Sequence, residues 1–333
     1  MTVPPPDPTN LLVIRLGAMG DILHALPAVA SLKKSFPGSR IAWLLASKWM
    51  PLLTNNPHVD ELITFDRGGL SSLRSVRRRL QAFRADLAID FQGLLQSAIL
   101  GRLAAPASFW GFGRSVAREP LAAMFYSDTA RVTGPHRIER NLQLVAALGA
   151  RTSTKESWVP AGVPEGTLPS DPFVLVSPFA GWASKQWPID HYDELGRRLA
   201  REGLRLVANV PRDRTGELSS FKNLFLHSSS IDGLIDATRR SLAVVGVDSG
   251  PLHLAAALQK PGVALFGPTD PAQTGPFNSP IRVLRRQSVQ TTYKRGRSID
   301  ASMSAISADE VTEELMHALA SLREPASSVV RNS

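Results

Sequence analysis

LLVIRLGAMGD, residues 11–21, is the stretch that decides the fold. It opens with branched apolar residues, which are typical of a buried strand, and Gly17 and Gly20 then favour a tight turn close to a ligand. Asp21 stands where a helix begins, and exposed backbone N–H groups favour a carboxylate there. The plainer interpretation of Asp21 is an ordinary helix cap. The glycine spacing is not G-x-G-x-x-G, so the stretch does not favour a nicotinamide-dinucleotide site.

Short apolar runs alternate with helical patterns along all 333 residues, which predicts parallel sheets with crossover helices. Strands are predicted at Leu11–Arg15, Arg40–Leu45, Glu61–Phe65, Asp86–Asp90, Phe173–Ser177, Leu204–Asn209, Leu242–Val247, Val263–Phe266 and Ile281–Leu284. Helices are predicted at Gly20–Ser35, Gly69–Phe83, Gly93–Leu103, Arg137–Leu148, Ile189–Arg201, Ile231–Arg239, Pro251–Leu258 and Ala308–Leu322.

A linker is predicted from Ala150 to Asp171, which contains three prolines and has no periodicity. It divides the chain into two α/β domains, residues 1–155 and 170–333, each doubly wound and Rossmann-like, with a cleft between them. The last helix is a candidate to pack back on the first domain. The Pro-rich start up to Thr9 and the tail after Glu324 are predicted to be loose.

The composition indicates a folded protein with an anionic partner. The net charge of +9 favours nucleic acid, anionic lipid or a phosphorylated substrate, although solubility alone is the plainer explanation. The absence of cysteine excludes disulfides and thiolate metal sites and fits a reducing compartment. The longest apolar stretch, Leu94 to Phe112, is broken by Arg102, so no membrane span is expected.

Two loops of the second half are candidate phosphate sites, because each directly follows a predicted strand. In SPFAGWASKQWP, residues 177–188, Lys185 is a cation able to reach a phosphate, whereas Trp187 is expected to pack. In VDSGPLH, residues 247–253, a helix start offers N–H groups and a hydroxyl to a diphosphate, although Asp248 could be a plain cap and His253 could merely pack. The turn-rich run at 266–271 also follows a predicted strand, but a rigid turn explains it at least as well as a binding site does.

The segment from Arg67 to Arg84 contains six arginines and no acidic residue. Five apolar side chains recur there at helical spacing, so one face is predicted to be core and the other basic. Those apolar residues are Leu70, Leu73, Val76, Leu80 and Phe83. Arginine favours bidentate binding to phosphate and carboxylate groups, although a solvated face is the simpler interpretation.

Taken together, these motifs resemble glycosyltransferase family 9, the ADP-heptose:lipopolysaccharide heptosyltransferases, over nearly the whole chain. The resemblance is carried by RLGAMGDILHAL (15–26), FQG (91–93), REPLAAMFY (118–126), HRIERNLQLVAALG (136–149), KQWP (185–188), DSGPLH (248–253) and GPTDP (267–271). The REPLAAMFY and HRIERN stretches look most like members that add the first heptose to the Kdo region of the inner core.

The resemblance implies a GT-B fold and inverting, metal-independent transfer from ADP-L-glycero-D-manno-heptose, with no cofactor. Asp21 matches the general base, and Lys185 matches a residue that stabilises the departing diphosphate. The implied donor-binding residues are Gly17, Gly20, Ser177, Lys185, Asp213, Asp248, Ser249, Gly250 and His253. The implied acceptor-binding residues, facing Kdo carboxylates and lipid A phosphates, are Arg67, Arg74, Arg77, Arg78 and Arg118.

The resemblance also implies a cytoplasmic protein, peripheral on the anionic inner face of the inner membrane. One departure is the run NVPRDR at 209–214, where relatives show a glycine-rich turn with an acid for the ribose, so Asp213 is only a guess. Another family 9 member with a different donor or acceptor remains open. A basic nucleic-acid-binding protein is a weaker alternative, since stacking platforms and known modules are missing.

Overall fold

The computed structural model describes residues 7–286, 290–293 and 296–321. The chain divides into two compact units, Met1–Pro160 and Ala161–Ser333. Their boundary falls inside the predicted linker, and residues 150–172 form neither helix nor strand. The tail after Glu324, predicted to be loose, lies outside the described residues, as do residues 1–6 of the Pro-rich start.

The described part of the first unit is built from six strands and five α-helices. The strands are β1 (Asn10–Ile14), β2 (Arg40–Leu45), β3 (Glu61–Thr64), β4 (Leu87–Asp90), β5 (Ser108–Phe112) and β6 (Asp128–Ala130). The helices are α1 (Met19–Leu23), α2 (Leu26–Ser35), α3 (Gly69–Phe83), α4 (Leu95–Leu103) and α5 (Arg137–Ala147), with 3-10 helices at Ser47–Leu52 and Pro120–Phe125.

The second unit repeats this plan. Its strands are β7 (Phe173–Val176), β8 (Arg205–Asn209), β9 (Phe225–His227), β10 (Ala243–Val247), β11 (Gly262–Phe266) and β12 (Ile281–Arg285). Its helices are α6 (Ile189–Arg201), α7 (Ile231–Arg240), α8 (Gly250–Ala257), α9 (Pro271–Thr274), α10 (Ala301–Ser304) and α11 (Ala308–Ala320), with 3-10 helices at Ala183–Lys185 and Arg212–Leu218.

Both sheets are parallel throughout and share one strand order. The order is β3-β2-β1-β4-β5-β6 in the first unit and β12-β11-β10-β7-β8-β9 in the second. Counted from the first strand of each unit, both read 3-2-1-4-5-6, the doubly wound Rossmann order. The order reverses between β1 and β4 in one unit and between β7 and β10 in the other. Two Rossmann-like units are therefore confirmed, and ligands of such sheets bind at these reversals.

The central strands are buried on both faces, as in a sheet covered by helices on each side. Every residue from Leu11 to Ile14 and from Ala243 to Val247 is buried. The last described helix, α11, packs on its own unit, where Val311 and Leu315 join the core beneath α6 and β11.

The local structure differs from the sequence-based expectations in three places. The helix predicted at Gly20–Ser35 is two helices, because Pro27 has no N–H to continue the ladder from α1 into α2. The short strands β5, β6 and β9 were not predicted. In α3, Val76, Leu80 and Phe83 are buried as expected, but Leu70 and Leu73 at its N-terminal end are exposed to solvent.

Candidate functional site

In the first unit, the sheet reversal brings together the loops that follow β1 and β4. Arg15 Nη1 donates to the carbonyl of Phe91 (2.6 Å), and Gln92 Oε1 accepts from the amide of Leu16 (2.8 Å). Gly17 is needed here because a Cβ at that position would lie 2.6 Å from Nε1 of Trp49. The RLG and FQG motifs therefore bind each other and fix the approach to α1.

Asp21 lies in the first turn of α1, at its third residue, and not at the N-cap position, which Ala18 occupies; from there it still caps the helix start by accepting from the backbone of Ala18. Its two carboxylate oxygens are held by different arginines. Arg15 Nη2 lies 2.5 Å from Oδ2, and Arg137 Nη1 lies 2.5 Å from Oδ1. The amide of Ala18 also donates to Oδ2 (3.3 Å). The carboxylate is thereby fixed in orientation, with 14% of the side chain exposed to solvent.

Asp21 is ionised throughout the neutral range. Burial alone would raise the pKa of this carboxyl, but the charges of Arg15 and Arg137 outweigh burial and hold the pKa well below its ordinary value. The site thus contains an oriented carboxylate that is already deprotonated, which is what proton abstraction requires.

Arg137 was not among the predicted site residues, although HRIERN was quoted as a motif. The structure shows what this motif does. His136 caps α5, with its Nδ1 accepting from the amide of Ile138, and Glu139 Oε2 accepts from the amide of His136. Asn141 Nδ2 donates to the carbonyl of His24, next to α1. The capped helix start therefore aims Arg137 at Asp21.

Asp90, at the end of β4, supports the second loop of this site. It is fully buried and accepts hydrogen bonds from Ser97 Oγ (2.7 Å), Tyr126 Oη (2.8 Å) and the amide of Gln92 (2.7 Å). Since Gln92 in turn holds Leu16, Asp90 braces the turn that carries Asp21. Tyr126 is the last residue of REPLAAMFY, so that motif also has a structural function here.

The predicted acceptor arginines all lie on the surface of the first unit. Arg74, Arg77 and Arg78 follow one another along α3 and make no hydrogen bond or ion pair with another described residue. Arg67 Nη2 donates to Oε1 of Gln96 on α4 (2.9 Å), and Arg118 lies in the loop before the 3-10 helix Pro120–Phe125. They are available to an anionic ligand, but none of them contacts Asp21.

In the second unit, the sheet reversal joins the loops that follow β7 and β10. Lys185 Nζ lies 2.6 Å from Oδ2 of Asp248 and 4.4 Å from the centre of the Trp182 ring. The side chain of Lys185 is 16% exposed. An ammonium group has three donors, so Lys185 retains hydrogen-bonding capacity for an anion while Asp248 fixes its position.

Asp248 is the buried centre of this cluster. Besides Lys185 it meets Thr269 Oγ1 (2.8 Å), Thr274 Oγ1 (3.4 Å) and His253 Nε2 (3.4 Å). Burial opposes its ionisation, but His253 and Lys185 outweigh burial and hold the pKa of Asp248 well below its ordinary value. Asp248 is not the helix cap of α8, because Ser249 occupies that position. Thr269, which lies in the quoted GPTDP motif, and Thr274 were not among the predicted site residues but belong to this site.

Ser249 offers a hydroxyl that the protein does not use. Its Oγ is buried and has no hydrogen-bond partner among the described residues. Ser249 lines a small pocket together with Ser177, Gly246 and Pro251, at the point where Gly250 begins α8. A free hydroxyl beside a helix N-terminus suits an anion.

Two further residues of the sequence analysis lie elsewhere in the second unit. Asp213 is an exposed residue of the 3-10 helix after β8 and makes no hydrogen bond or ion pair with another described residue. Trp187 is fully buried, and its Nε1 donates to the carbonyl of Ile306 (2.9 Å), so its predicted packing role is confirmed.

Within the described ranges, no three His, Asp or Glu side chains come together in a way that could hold a metal ion. No helix among the same residues is long and apolar enough to cross a membrane.

The family is decided by a match to the model "Glycosyltransferase family 9 (heptosyltransferase)" over residues 73–301, more than half of the chain. This chain belongs to glycosyltransferase family 9. It is 32% identical to lipopolysaccharide heptosyltransferase 1 of Pseudomonas aeruginosa, covering 80% of this chain and 81% of that protein. It is 29% identical to the protein of the same name from Escherichia coli K12, over 83% and 93% of the two chains.

Among solved structures, the chain is similar to the E. coli heptosyltransferase WaaC with ADP. The TM-score is 0.77 at 25% identity, and the match covers 93% of this chain and 100% of that one. The predicted family, the GT-B fold class with two Rossmann-like units and the enzyme class are therefore confirmed, and the protein is a glycosyltransferase.

Proposed function

We propose that this glycosyltransferase transfers heptose from ADP-L-glycero-D-manno-heptose to the Kdo region of the lipopolysaccharide inner core, with inversion at the anomeric carbon and without a metal ion. The first unit binds the acceptor and the second binds the nucleotide sugar. The observation that carries the proposal is the ionised carboxylate of Asp21 at the sheet reversal, clamped by Arg15 and Arg137.

In the proposed step, an acceptor hydroxyl attacks the anomeric carbon while the bond from that carbon to the diphosphate oxygen breaks. The hydroxyl proton passes to Asp21, and ADP leaves with the electron pair of the broken bond. Two arginine partners make Asp21 a weak base, so the proton moves late, once the bond to carbon has made the hydroxyl strongly acidic. In this order of events, Asp21 does not need to deprotonate the acceptor hydroxyl before the attack and only accepts the proton afterwards.

The diphosphate is proposed to bind at the cluster of the second unit. Lys185 and the helix start at Ser249 and Gly250 present a cation, a hydroxyl and backbone N–H groups in one place. Charge develops on the diphosphate as the sugar departs, and such fixed donors stabilise that charge without a metal. Gly17, Gly20, Ser177, Asp213 and His253 remain predicted donor contacts.

The acceptor is proposed to meet the exposed arginines of the first unit. Kdo carboxylates and lipid A phosphates are planar or tetrahedral anions, which arginine binds bidentately. Arg74, Arg77 and Arg78 have no competing partner among the described residues. An acceptor of this kind is lipid-anchored, which is why we place the enzyme in the cytoplasm, peripheral on the inner membrane.

The test is ADP release from ADP-heptose by the purified protein in the presence of a chelator, with and without a Kdo-containing acceptor. We expect release that depends on the acceptor and is insensitive to the chelator, and a product whose anomeric configuration is opposite to that of the donor. Release that requires added Mg²⁺ or Mn²⁺ contradicts the metal-independent step. Retained configuration contradicts the single displacement.

A second candidate is transfer to a different acceptor, or from a different nucleotide sugar, by the same chemistry. The run at 209–214 supports this second candidate. Asp213, the acid that follows β8, is exposed, and no described contact fixes its side chain in position to bind a ribose. Sugar and base specificity depend on a few hydrogen bonds. A panel of donors and acceptors read by mass spectrometry separates the candidates, and activity with ADP-heptose alone supports the first.

A further inference from the structure

The 3-10 helix Ser47–Leu52 carries a tryptophan to the turn that contains Asp21. Trp49 is half-buried, and a Cβ on Gly17 would lie 2.6 Å from its Nε1 and 3.2 Å from its Cδ1. The five-membered ring of the indole therefore packs directly on the backbone of Gly17. The amide of Ala18, the next residue, donates to Oδ2 of Asp21 (3.3 Å). Since these contacts share one turn, the indole nitrogen and the carboxylate are at most about 10 Å apart.

The position of Trp49 is fixed by hydrogen bonds to the backbone of its 3-10 helix. The amide of Ala46 donates to the carbonyl of Leu16 (3.1 Å), which ties the start of that helix to the turn after β1. The amide of Ser47 donates to Oδ1 of Asp66 (3.0 Å), and the amide of Trp49 donates to the carbonyl of Ala46 (3.0 Å). A well-anchored aromatic side chain thus lies at the carboxyl edge of the sheet, where ligands of such sheets bind.

Lys48 adds a cation to this aromatic surface. Its Nζ lies 4.7 Å from the centre of the Trp49 ring, and the residue is exposed to solvent. Apart from that ring contact, Lys48 makes no hydrogen bond or ion pair with another described residue, and the indole N–H of Trp49 donates to none. An ammonium group has three donors and attracts an anion as a point charge. The two residues therefore offer an apolar ring, an N–H donor and a cation side by side.

We propose that Trp49 and Lys48 form the subsite for the acidic sugar that carries the reacting hydroxyl. The C–H face of a sugar ring is apolar and packs on the indole, which offers a large and rigid surface. The carboxylate of the sugar pairs with Lys48 in a charge-assisted hydrogen bond. A neutral sugar would leave the cation unused, and an inorganic anion would leave the ring unused, so an acidic sugar is the ligand that fits both.

This subsite rests on the proposed function and adds to it a contact for the attacking sugar. The predicted acceptor arginines do not contact Asp21, so they do not explain how the sugar next to the base is held. Trp49 supplies that contact because it packs on the turn that carries Asp21. The sugar then lies between the indole and the carboxylate, and the arginines meet the more distant anions of the acceptor. Trp49 and Lys48 bind the sugar and take no part in the proton transfer.

The test of the subsite is a binding measurement that needs neither donor nor turnover. The methyl glycoside of Kdo is titrated into the full-length protein, and binding is followed by saturation-transfer NMR. We expect Trp49→Leu to bind this ligand at least about tenfold more weakly, and Trp49→Phe to recover most of the affinity because it keeps an aromatic face. Trp110→Leu is the control and should bind like the wild type. Trp110 is a half-buried tryptophan of β5 whose Nε1 donates to Oγ of Ser108 (3.1 Å).

Lys48→Met separates the contribution of the charge from that of the ring. The second ligand is the carboxamide of the same glycoside, which has the same shape but no charge. We expect the wild type to prefer the free acid, and Lys48→Met to lose about tenfold of that preference while its affinity for the carboxamide stays within about twofold. Lys48→Arg should restore the preference. An equal loss of affinity for both ligands in Lys48→Met would indicate a structural role and would overturn the carboxylate contact.

Turnover separates the subsite from the proposed function. With a Kdo-containing acceptor, Trp49→Leu and Lys48→Met should each raise the KM for the acceptor about tenfold, with the Kd for ADP unchanged. A wild type that binds the glycoside through Trp49 and Lys48 but releases no ADP would support the subsite and contradict the proposed reaction. A wild type that turns over the acceptor, with glycoside binding and KM unaffected by either substitution, would overturn the subsite alone. A wild type that does not bind the glycoside also overturns the subsite.

Discussion

Arg137 and Asp21 stand 116 residues apart in the chain and meet with 2.5 Å between Nη1 and Oδ1. The contact links the start of α5 to the first turn of α1, so one helix sets the charge state of a carboxylate on another. Arg15 completes the clamp from the end of β1. The two cations explain why a largely buried carboxylate remains ionised, and the variants below separate their effect from general packing.

Replacing Arg137 by Met should shift the acid limb of the pH profile of kcat toward neutral pH. With one cation removed, burial of Asp21 is less opposed, so its pKa rises and the carboxylate begins to take up a proton at a higher pH. We expect turnover at neutral pH to fall by up to about 10²-fold through misorientation. Arg140→Met is the control, since Arg140 lies on the same helix but bonds the carbonyl of Gly134. An unchanged acid limb in Arg137→Met would show that Arg137 does not control the pKa of Asp21.

Ser249 and Ser241 give opposite expectations. Ser249→Ala removes a buried hydroxyl without a partner among the described residues, so the free energy of unfolding should stay equal or rise, while ADP affinity falls about three- to tenfold. Ser241→Ala removes a hydroxyl that donates to the carbonyl of Thr238 (2.8 Å), so stability should fall by about 1 kcal/mol with ADP affinity unchanged. Titration calorimetry and urea unfolding measure both. The assignment of Ser249 to the diphosphate fails if its variant binds ADP as the wild type does.

Acid should destabilise the protein through Asp248. Its folded pKa is depressed, so the unfolded chain binds more protons than the folded one below the ordinary aspartate pKa of about 4. The stabilisation is therefore complete near neutrality, begins to be lost as the pH falls below about 5, and is fully lost only below the depressed folded pKa, so the interval from about pH 5 to 3 covers the first part of the loss. The Tm of Asp248→Asn should start lower than that of the wild type and fall less over this interval. If the Tm of the wild type and that of Asp248→Asn fall in parallel as the pH is lowered, the depressed pKa of Asp248 is contradicted.

Much of the fold was predictable because local signals agreed with it. The buried strands β1, β4, β7, β10 and β11 read as apolar runs, and the loops after β1, β4, β7 and β10 lie at the two sheet reversals. The break between α1 and α2 depends on Pro27, a signal that was present in the sequence but overridden by the apolar periodicity around it. The strands β6 and β9 have three residues each, which is too short for a hydrophobic strand pattern to be recognised.

The site was predictable only in part, since sequence shows which residues follow a strand but not which side chains pair. Asp21, Lys185 and Ser249 lie in or just beyond loops that follow strands, and each belongs to a motif that the resemblance rests on. Arg137 begins a helix far along the chain, and Thr269 lies in a loop that reads as a simple turn. Their contacts with Asp21 and Asp248 follow from tertiary packing alone. Leu70 and Leu73 continue the periodicity of a core face, but α3 extends past the edge of the core at its N-terminal end.

The most direct measurement is the pairing of turnover with donor affinity in Asp21→Asn, which keeps the shape of the carboxylate but cannot accept the proton. We expect kcat with a Kdo-containing acceptor to fall by about 10²- to 10⁴-fold, while the Kd for ADP, measured by calorimetry, stays within about threefold of the wild type. Asp128→Asn, at an exposed aspartate of β6 in the first unit to which no role is assigned, is the control for kcat. Near wild-type turnover in Asp21→Asn, or a loss that follows weakened ADP binding, would contradict the assignment of Asp21 as the base.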